Sequence, residues 1–461
     1  MVVGWFVLRG GMVQTDSRGD TVIDRQAAIA SYCYNRQRSK EIFGLLVPET
    51  YYERPIPLRH PVVFYEGHIP AFAVNTLIRK GLGRDGIDQE LERLFARGID
   101  PKDEDAAEES SIHKWPTRDE VQNYATKVDR IIMEALQTEN IDRKGHPTLH
   151  RGQAVFTVLE HEALHQETLL YMWQRFSYQR KRRPMGAVPI IVGTPPSPTT
   201  VIIPSGQATL GARLDEVKFG WDNEFPGQVV QVPAFEIDVH NVTNQDFLEF
   251  VESGGYEEPQ FWAREDWEPN PGSRPRHPLF WEFVDHGWLW HGMFDAIPLP
   301  KAWPVYVSHA EARAYACWKG KRLLTEAEFH RAAYGTPTGE ERRYPWGHDI
   351  PTKVHGNFDF RHWDPVPVGT HPAGCSAWGV HDLVGNGWEW TSTVFNGFPG
   401  FKPMTSYPEY SADFFDGQHY VLKGASSATA ASLLRPSFRN WFRSNYPYAY
   451  AAFRCAQDSR G

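Results

Sequence analysis

Two histidines four residues apart, His161 and His165 in the stretch EHEALHQETLLY (160–171), constrain this chain more than any other feature. Residues 153–176 contain neither Gly nor Pro and are rich in helix formers, so the sequence predicts a helix there. At about 3.6 residues per turn, the two side chains lie on one face, at a spacing that lets two imidazoles bind one metal ion. Mostly apolar residues share this face, which we therefore expect to point into a helical bundle: Ala154, Val158, Thr168 and Met172.

The same letters spell H-E-x-x-H, the signature of zinc proteases, in which Glu162 would be the general base. The longer form of that signature continues with Gly and His, where this chain has Thr168 and Tyr171. Histidine pairs also occur as ordinary core residues without any metal. From the spacing alone, a zinc hydrolase, another metal centre and a metal-free pair all stay open.

The composition limits the classes of function. The 461 residues carry a formal net charge of −9, which argues against a nucleic-acid-binding surface. The basic run 180–183 follows the histidine helix, and we expect it to cap the C-terminal end of that helix. We expect no membrane span and a cytoplasmic location. Four cysteines without a CxxC pair fit a reducing compartment: Cys33, Cys317, Cys375 and Cys455.

The first half of the chain predicts an antiparallel four-helix bundle over residues 20–192, after a leader (1–19) that we expect to be disordered. Helical patterns cover 20–43 and 60–83, with a kink or restart at Pro70. The acidic stretch 100–110 is predicted to be a loop. Thr117 and Glu120 form a capping box that starts a third helix. His68, just before Pro70, is a candidate third metal ligand.

A segment rich in Pro, Thr and Ser (193–200) is predicted to link the bundle to a second domain, 201–461. Short β-type runs alternate there with loops, at 201–203, 229–232, 235–239, 305–307 and 420–422. Helices are predicted at 243–253, 309–319 and 325–334, the last starting at a capping box of Thr325 and Glu328. The sequence therefore predicts an α+β protein of two domains.

Several phrases carry a family resemblance. The second half resembles the formylglycine-generating-enzyme/sulfatase-modifying domain, a C-type-lectin-like fold, in FEIDVHNVTNQDFLEFVESGGY (235–256), KRLLTEAEFHRAAYG (321–335), GVHDLVGNGWEWTSTVF (379–395) and LLRPSFRNWFRSNYPYAYAAFRCA (433–456). HPVVFYEGH (60–68) and HEALHQET (161–168) resemble the DinB-like metal-binding bundle. The combination is similar to the ergothioneine-biosynthetic sulfoxide synthases (EgtB type).

The resemblance implies a non-haem iron(II) centre held by His68, His161 and His165. It also implies an O2-dependent reaction that joins a thiol, as a sulfoxide, to C2 of the imidazole of hercynine (N-α-trimethylhistidine). Three imidazoles leave coordination positions for substrates, which suits that reaction. A C–Se bond formed on the same scaffold (selenoneine-type chemistry) and a non-catalytic binding protein stay as alternatives, and the sequence leaves the oligomeric state undefined.

The resemblance also implies residues of the substrate pocket. Asn440 and Trp441 fall at the hercynine site, where an aromatic wall suits a quaternary ammonium group. Phe442 stands where members that use γ-glutamylcysteine have Asp, which favours free cysteine as the thiol. Leu164 precedes the second helix histidine, where some members have Gln.

Phe395 and Phe398 stand at the places that the resemblance assigns to two tyrosines, one of which assists O2 reduction. A proton donor must then come from elsewhere in the chain. The candidates are Tyr65, Tyr446 and Tyr448.

The phrase GNGWEW (385–390) is interpreted as scaffold, with Trp388 and Trp390 in the core. Asn386 and Glu389 are either turn-forming or cation-binding residues, which allows a structural Ca(II) in the second domain. Formylglycine generation itself needs a pair of reactive thiols near the C-terminus, where this chain has only Cys455, so that activity is not expected.

Overall fold

The computed structural model describes residues 23–96, 114–186, 188–267 and 275–459. The predicted leader and the predicted acidic loop lie outside the described residues. Across the described ranges, no helix combines the length and the apolar character needed to cross a lipid bilayer.

Helices dominate the N-terminal part of the chain. They are α1 (Arg25–Gly44), α2 (Val62–Ala73), α3 (Gln89–Leu94), α4 (Arg118–Thr138) and α5 (Gln153–Gln174). The four longer helices form the predicted bundle, in which α1 packs against α5 and α2 against α4. Their inward faces are apolar and join one continuous core that extends into the second domain.

Helix α2 does not restart at Pro70, one of the two predicted possibilities. The helix continues through Pro70 without a break and then passes into a π-helical segment, Val74–Gly81. Proline removes one backbone hydrogen bond from a helix, and a change of hydrogen-bonding register downstream is one way to accommodate this. His68 is therefore held in an unbroken, buried turn of α2.

Capping groups mark the helix ends as predicted. The Thr117 hydroxyl accepts from the backbone N–H of Glu120, and the Glu120 carboxylate accepts from that of Thr117 at 2.8 Å, at the start of α4. At the C-terminal end of α5, the Lys181 ammonium donates to the Gln174 carbonyl at 3.2 Å. Of the basic run 180–183, Lys181 thus supplies a C-terminal cap, whereas Arg180 pairs with Glu53 and Arg183 with Asp295.

The C-terminal part contains small, mostly antiparallel sheets and short helices. Its strands are β1 (Thr200–Ile203), β2 (Gly206–Leu210), β3 (Gln228–Val232), β4 (Phe235–Asp238), β5 (Trp281–Val284), β6 (Gly287–His291), β7 (Ala296–Pro298), β8 (Arg322–Leu323), β9 (Gly387–Val394), β10 (His419–Ala425), β11 (Asn440–Arg443), β12 (Ala451–Ala452) and β13 (Cys455–Asp458). Its helices are α6 (Asn244–Glu252), α7 (Arg264–Trp267), α8 (His309–Trp318) and α9 (Glu326–Tyr334). The chain thus has the predicted two-domain α+β fold.

Two four-stranded sheets organise this part, with strand orders β1-β4-β13-β8 and β11-β10-β9-β12. The pairs β2–β3 and the sheet β5-β6-β7 are separate. The prediction of a strand at 305–307 is wrong. Val305 N donates to Val242 O and Val307 N to Ala451 O, so the segment bridges two different partners instead of joining one ladder.

Buried polar contacts join the two parts of the chain. The Glu167 carboxylate on α5 accepts hydrogen bonds from the Trp388 indole at 2.6 Å, the Ser426 hydroxyl at 2.6 Å and the Thr429 hydroxyl at 2.8 Å. Trp388 itself is buried in the core, as is Trp390, which confirms the interpretation of GNGWEW. The face of α5 that lies against the second domain is therefore fixed by a carboxylate with three neutral donors.

Arg435 makes a second connection between the two parts. Its guanidinium pairs with the Glu160 carboxylate at 2.8 and 2.9 Å, and with the Glu224 carboxylate at 2.8 and 2.6 Å. All three side chains are largely buried, with at most 15% of each exposed. Because Glu160 precedes His161, this cluster ties the histidine helix to the second domain.

Candidate metal centre and substrate pocket

Three histidines converge where α2 and α5 meet the second domain. The Nε2 atom of His161 lies 3.3 Å from that of His68 and 3.1 Å from that of His165. One donor atom from each ring lies within 4.8 Å of the others, and within the described ranges no other set of three His, Cys, Asp or Glu residues converges in this way. The predicted ligand set is thus brought together.

The protonation state of these rings suits metal binding. Burial lowers the pKa of His68 to about 4, although its Nδ1 contact with the Phe95 carbonyl at 2.7 Å acts in the opposite direction. Burial, followed by neighbouring histidine charge, lowers the pKa values of His161 and His165 as well. At neutral pH all three rings are neutral, and the Phe95 carbonyl fixes the His68 tautomer whose Nε2 carries the lone pair.

The chemistry of this donor set fits a divalent transition metal. Imidazole nitrogens bind iron, zinc, copper and nickel, and three of them on one side leave positions for other ligands. Three imidazole nitrogens held this close together, with one donor atom of each within 4.8 Å of the others, could bind one cation together. The residues present therefore fit the iron(II) that the resemblance implies.

Glu162, the general base of the hydrolase interpretation, points elsewhere. Its carboxylate accepts hydrogen bonds from the Arg36 guanidinium at 2.8 Å and the Ser39 hydroxyl at 2.7 Å, both on α1. These two contacts hold the Glu162 carboxylate against α1. The carboxylate is an anchor between α5 and α1, which leaves a hydrolase without its base.

Aromatic rings from both domains form what we call the His161 side of the centre: Phe72, Tyr407, Tyr410 and Trp441. Phe72 on α2 stacks on His161 with ring centres 3.5 Å apart. The Tyr407 ring lies 6.3 Å from that of His161, and Tyr410 lies 5.8 Å from Tyr407 and 5.2 Å from Trp441. A continuous aromatic wall therefore runs from the histidines to Trp441.

Tyr407 and Tyr410 were missed by the sequence reasoning. The segment that carries them is fixed by distant residues: the Asp222 carboxylate accepts from Ser411 Oγ at 2.5 Å and from Met404 N at 3.4 Å. The Ser406 hydroxyl also contacts the Thr157 hydroxyl on α5 at 3.2 Å. The only local signal is the pair of tyrosines three residues apart in SYPEY (406–410).

Phe395 and Phe398 lie behind the predicted hercynine site. Phe395 is fully buried and stacks on Trp441 with ring centres 4.3 Å apart. The guanidinium carbon of Arg439 lies 4.3 Å from the centre of the Phe398 ring. Asn440 accepts a hydrogen bond from Trp441 N at 2.9 Å. The structure thus places Phe395 and Asn440 in contact with Trp441, and Phe398 beside Arg439.

The opposite, His165 side contains Tyr65, Arg59, Tyr171, Tyr446 and Phe442. The Tyr65 ring lies 6.0 Å from that of His165, and Phe442 stacks on Tyr446 with ring centres 4.8 Å apart. Further predicted residues lie around this side: Leu164 packs partly buried against the core, and the Tyr448 ring lies 5.2 Å from Tyr446. Burial raises the pKa of Tyr448.

Asn386 and Glu389 serve the scaffold. Asn386 has a φ of 68°, and its side chain accepts from Val366 N and donates to Val366 O, both at 2.9 Å. The Glu389 carboxylate pairs with the buried Arg454 guanidinium at 2.8 and 2.6 Å. Both residues therefore have protein partners that account for them, and the structural Ca(II) stays a prediction. All four cysteines are unpaired, as predicted.

Comparison with known families agrees with this architecture. Residues 192–459 match the Sulfatase-modifying factor enzyme 1-like domain, and residues 34–169 match the DinB superfamily. The fold and the three-histidine centre thus define a DinB-type bundle joined to a sulfatase-modifying-factor-like domain.

Individual relatives make the family specific. The hercynine oxygenase of Mycolicibacterium smegmatis is 33% identical over 413 residues, which cover 87% of this chain and 92% of that protein. The hercynine oxygenase of Mycobacterium tuberculosis is 40% identical over 254 residues, 54% of this chain and 58% of that protein. The ergothioneine biosynthesis protein 1 of Neurospora crassa is 28% identical over 512 residues, 90% of this chain and 56% of that protein. The chain belongs to the hercynine oxygenase family.

Proposed function

We propose that this protein is a non-haem iron(II), O2-dependent sulfoxide synthase of ergothioneine biosynthesis, which joins a thiol to C2 of the hercynine imidazole. The observation that carries the proposal is the convergence of three neutral imidazoles beside an aromatic wall contributed by the second domain. Membership of the hercynine oxygenase family supports the oxidative chemistry and the substrate.

His68, His161 and His165 would hold the iron, with the Phe95 carbonyl orienting His68. When bound, iron(II) supplies a centre at which O2 and a thiolate react together. The chain's own residues do the rest. Phe72 and Phe64 stack on His161 and His68, which keeps the rings in place and limits the access of water.

The hercynine site is proposed around Trp441. The Trp441 ring has Phe395, Tyr410 and Phe414 around it, with ring centres 4.3, 5.2 and 5.7 Å away. Several ring faces near one point attract a quaternary ammonium group, because each face carries partial negative charge. The trimethylammonium of hercynine would bind here, with Asn440 contributing polar contacts at the same wall.

Tyr407 is proposed as the proton donor. Its ring lies 6.3 Å from that of His161, which makes it the phenol of the His161 side that is in ring contact with a proposed metal ligand. Tyr410 stands behind it at 5.8 Å. Tyr65, Tyr446 and Tyr448 lie on or next to the His165 side, away from the proposed hercynine site.

Cysteine is the proposed thiol. Phe442 is stacked on Tyr446 with an interplanar angle of 3°, and this apolar surface offers no carboxylate to the amino end of a longer thiol. The hydrolase alternative is not favoured, because Arg36 and Ser39 hold Glu162 away from the histidines. A selenium donor would use the same pocket. The experiment described next distinguishes it from cysteine.

The test is anaerobic reconstitution with iron(II), followed by hercynine, cysteine and air, with oxygen uptake and products measured by mass spectrometry. The expected product has the mass of hercynine plus cysteine plus one oxygen atom, less the hydrogens lost in the coupling. Coupling only with a selenium donor would transfer the proposal to C–Se chemistry. Tight zinc binding with peptide hydrolysis that depends on Glu162 would overturn the proposal.

A further inference from the structure

Two carboxylates flank the metal-binding His161 on α5, and each is held by its own arginine. Glu160 precedes this histidine in the sequence and Glu162 follows it. The Glu162 carboxylate pairs with Arg36 of α1 at 2.8 Å, and Arg36 also pairs with Asp129 of α4 at 2.8 Å. Within the bundle, one guanidinium between two carboxylates therefore holds the metal helix.

Arg435 repeats this arrangement from the second domain. Its guanidinium donates to both oxygens of Glu160, at 2.8 and 2.9 Å, and to both oxygens of Glu224, at 2.8 and 2.6 Å. The Ser437 hydroxyl donates to the same Glu224 carboxylate at 2.6 Å. Bidentate, charge-assisted bonds fix both the distance and the angle between the groups that they join. The turn that contains Glu224 is thus held at a defined place relative to α5.

This turn also supports the aromatic wall. The Glu224 carboxylate accepts a hydrogen bond from the backbone N–H of Trp221 at 2.8 Å, and the Trp221 ring stacks on that of Tyr410 with ring centres 3.9 Å apart. Asp222, in the same turn, accepts hydrogen bonds from both ends of the segment 404–411, which carries the wall tyrosines. The position of the turn therefore determines the position of the wall.

A contiguous set of contacts joins a metal ligand to the proposed hercynine site. Its members are, in order, His161, Glu160, Arg435, the turn 221–224, Tyr410 and Trp441. The contacts of Arg36, in contrast, stay among helices of the bundle. The two arginines resemble each other in chemistry and burial, with 12% and 15% of the side chain exposed, and they differ in what they connect.

We propose that Arg435 is a positioning residue that sets the distance between the metal and the hercynine site. This inference rests on the proposed function and deepens it, because it names the group that aligns one substrate with the reacting centre. Arg435 acts through Glu160 and Glu224, and it needs no contact with a substrate. Such alignment matters because a misplacement of about 1 Å can lower a rate about 100-fold.

The test measures this distance and needs no turnover. The full-length protein is loaded with cobalt(II), and NMR measures the paramagnetic relaxation of the trimethylammonium protons of hercynine at saturating concentration, with the zinc-loaded protein as the diamagnetic reference. The effect falls steeply with the distance between metal and proton. Arg435→Met is expected to lower it by about twofold or more, which a displacement of about 1 Å would produce. The cobalt(II) absorption spectrum, which reports the histidine ligands, should stay unchanged.

Arg36→Met is the matched control. Arg36 also joins two carboxylates beside His161, but its loss leaves the contacts between α5 and the wall in place. This variant should be destabilised to a similar degree and should show the relaxation of the unmodified protein.

Two milder variants keep the test informative if Arg435→Met does not fold. Arg435→Lys keeps the charge but loses the fork geometry, so it should give an intermediate relaxation. Glu224→Gln weakens only the bonds to the turn, and it should lower the relaxation in the same direction as Arg435→Met.

The outcomes separate the inference from the proposed function. Relaxation in the Arg435 and Glu224 variants equal to that of the unmodified protein would overturn the inference and leave the proposed function intact. Equal decreases in Arg435→Met and Arg36→Met would also overturn it, because the loss of any buried ion pair would then suffice. A cobalt-loaded, unmodified protein that binds no hercynine would overturn the proposed function, and the inference with it.

Discussion

The two sides of the histidine centre consist of different kinds of side chain. On the His161 side, the wall of Tyr407, Tyr410 and Trp441 comes from the second domain and is almost entirely aromatic. On the His165 side, an arginine is held by tyrosines of both domains. The first arrangement suits a cationic substrate and a phenolic proton donor, and the second suits an anionic group. The histidine centre therefore has two chemically different surroundings.

The largest effect is expected from substitution of the histidines, which the two sides share. His161→Ala or His165→Ala should abolish stoichiometric iron(II) binding, because two imidazoles hold the metal far more weakly than three. Metal content after gel filtration is the measurement, and the folded state is checked by circular dichroism. Iron bound at one equivalent in either variant would remove these histidines from the ligand set.

Exchange of single phenols tests whether the two sides have different roles. Tyr407→Phe should slow sulfoxide formation by about 100-fold or more, the usual scale for loss of a general acid, with iron and hercynine binding unchanged. Tyr446→Phe is the matched change on the His165 side. In this variant we expect sulfoxide formation after O2 binding to be much faster than in Tyr407→Phe. Single-turnover kinetics at saturating substrates measure both, and the reverse order would place the proton donor on the His165 side.

Loss of the Trp441 ring should weaken the binding of hercynine only. Trp441→Ala is expected to reduce hercynine affinity by about tenfold, in line with cation–π energies of up to about 2 kcal/mol. Cysteine affinity should change little, because its proposed contacts lie on the other side. Calorimetric titration of hercynine and of histidine, which lacks the trimethylammonium, checks this. A similar loss for both ligands would argue against an ammonium site at Trp441.

The smallest effect on activity is expected outside both sides. Glu162→Gln removes the charge that pairs with Arg36 but keeps a side chain that can bond to Ser39. We expect the free energy of unfolding to fall by roughly 1–3 kcal/mol, the cost of an uncompensated buried hydrogen bond, while activity per folded molecule stays within about twofold. Denaturant unfolding and product assays give the two numbers. A Glu162→Gln variant that is stable but inactive would favour the hydrolase interpretation.

The parts of the fold that were predicted correctly depend on short stretches of sequence. Helix α5 and its histidine pair follow from local periodicity, and the capping boxes at Thr117 and Thr325 each lie within four residues. The resemblance then supplied His68 as the third ligand. Such features need no knowledge of distant contacts, because the helix itself places the side chains.

The parts that were missed depend on contacts between distant residues. Tyr407 reaches the centre because Asp222, about 185 positions earlier in the chain, holds the segment that carries it. Arg59 meets Tyr446 across 387 positions. The run 305–307 looked like a strand because of its valines, yet its neighbours offered no ladder to join. No local pattern carries this information.

The Glu167 contacts bear on how such a protein can be assembled or recombined. During synthesis the bundle leaves the ribosome first, while Trp388, Ser426 and Thr429 have not yet been made. Until they are made, the Glu167 carboxyl group lacks these partners, so we expect α5 to reach its final packing only after the last quarter of the chain has been translated. We therefore expect a chimaera that exchanges the bundle between relatives to need these three donors in its second domain.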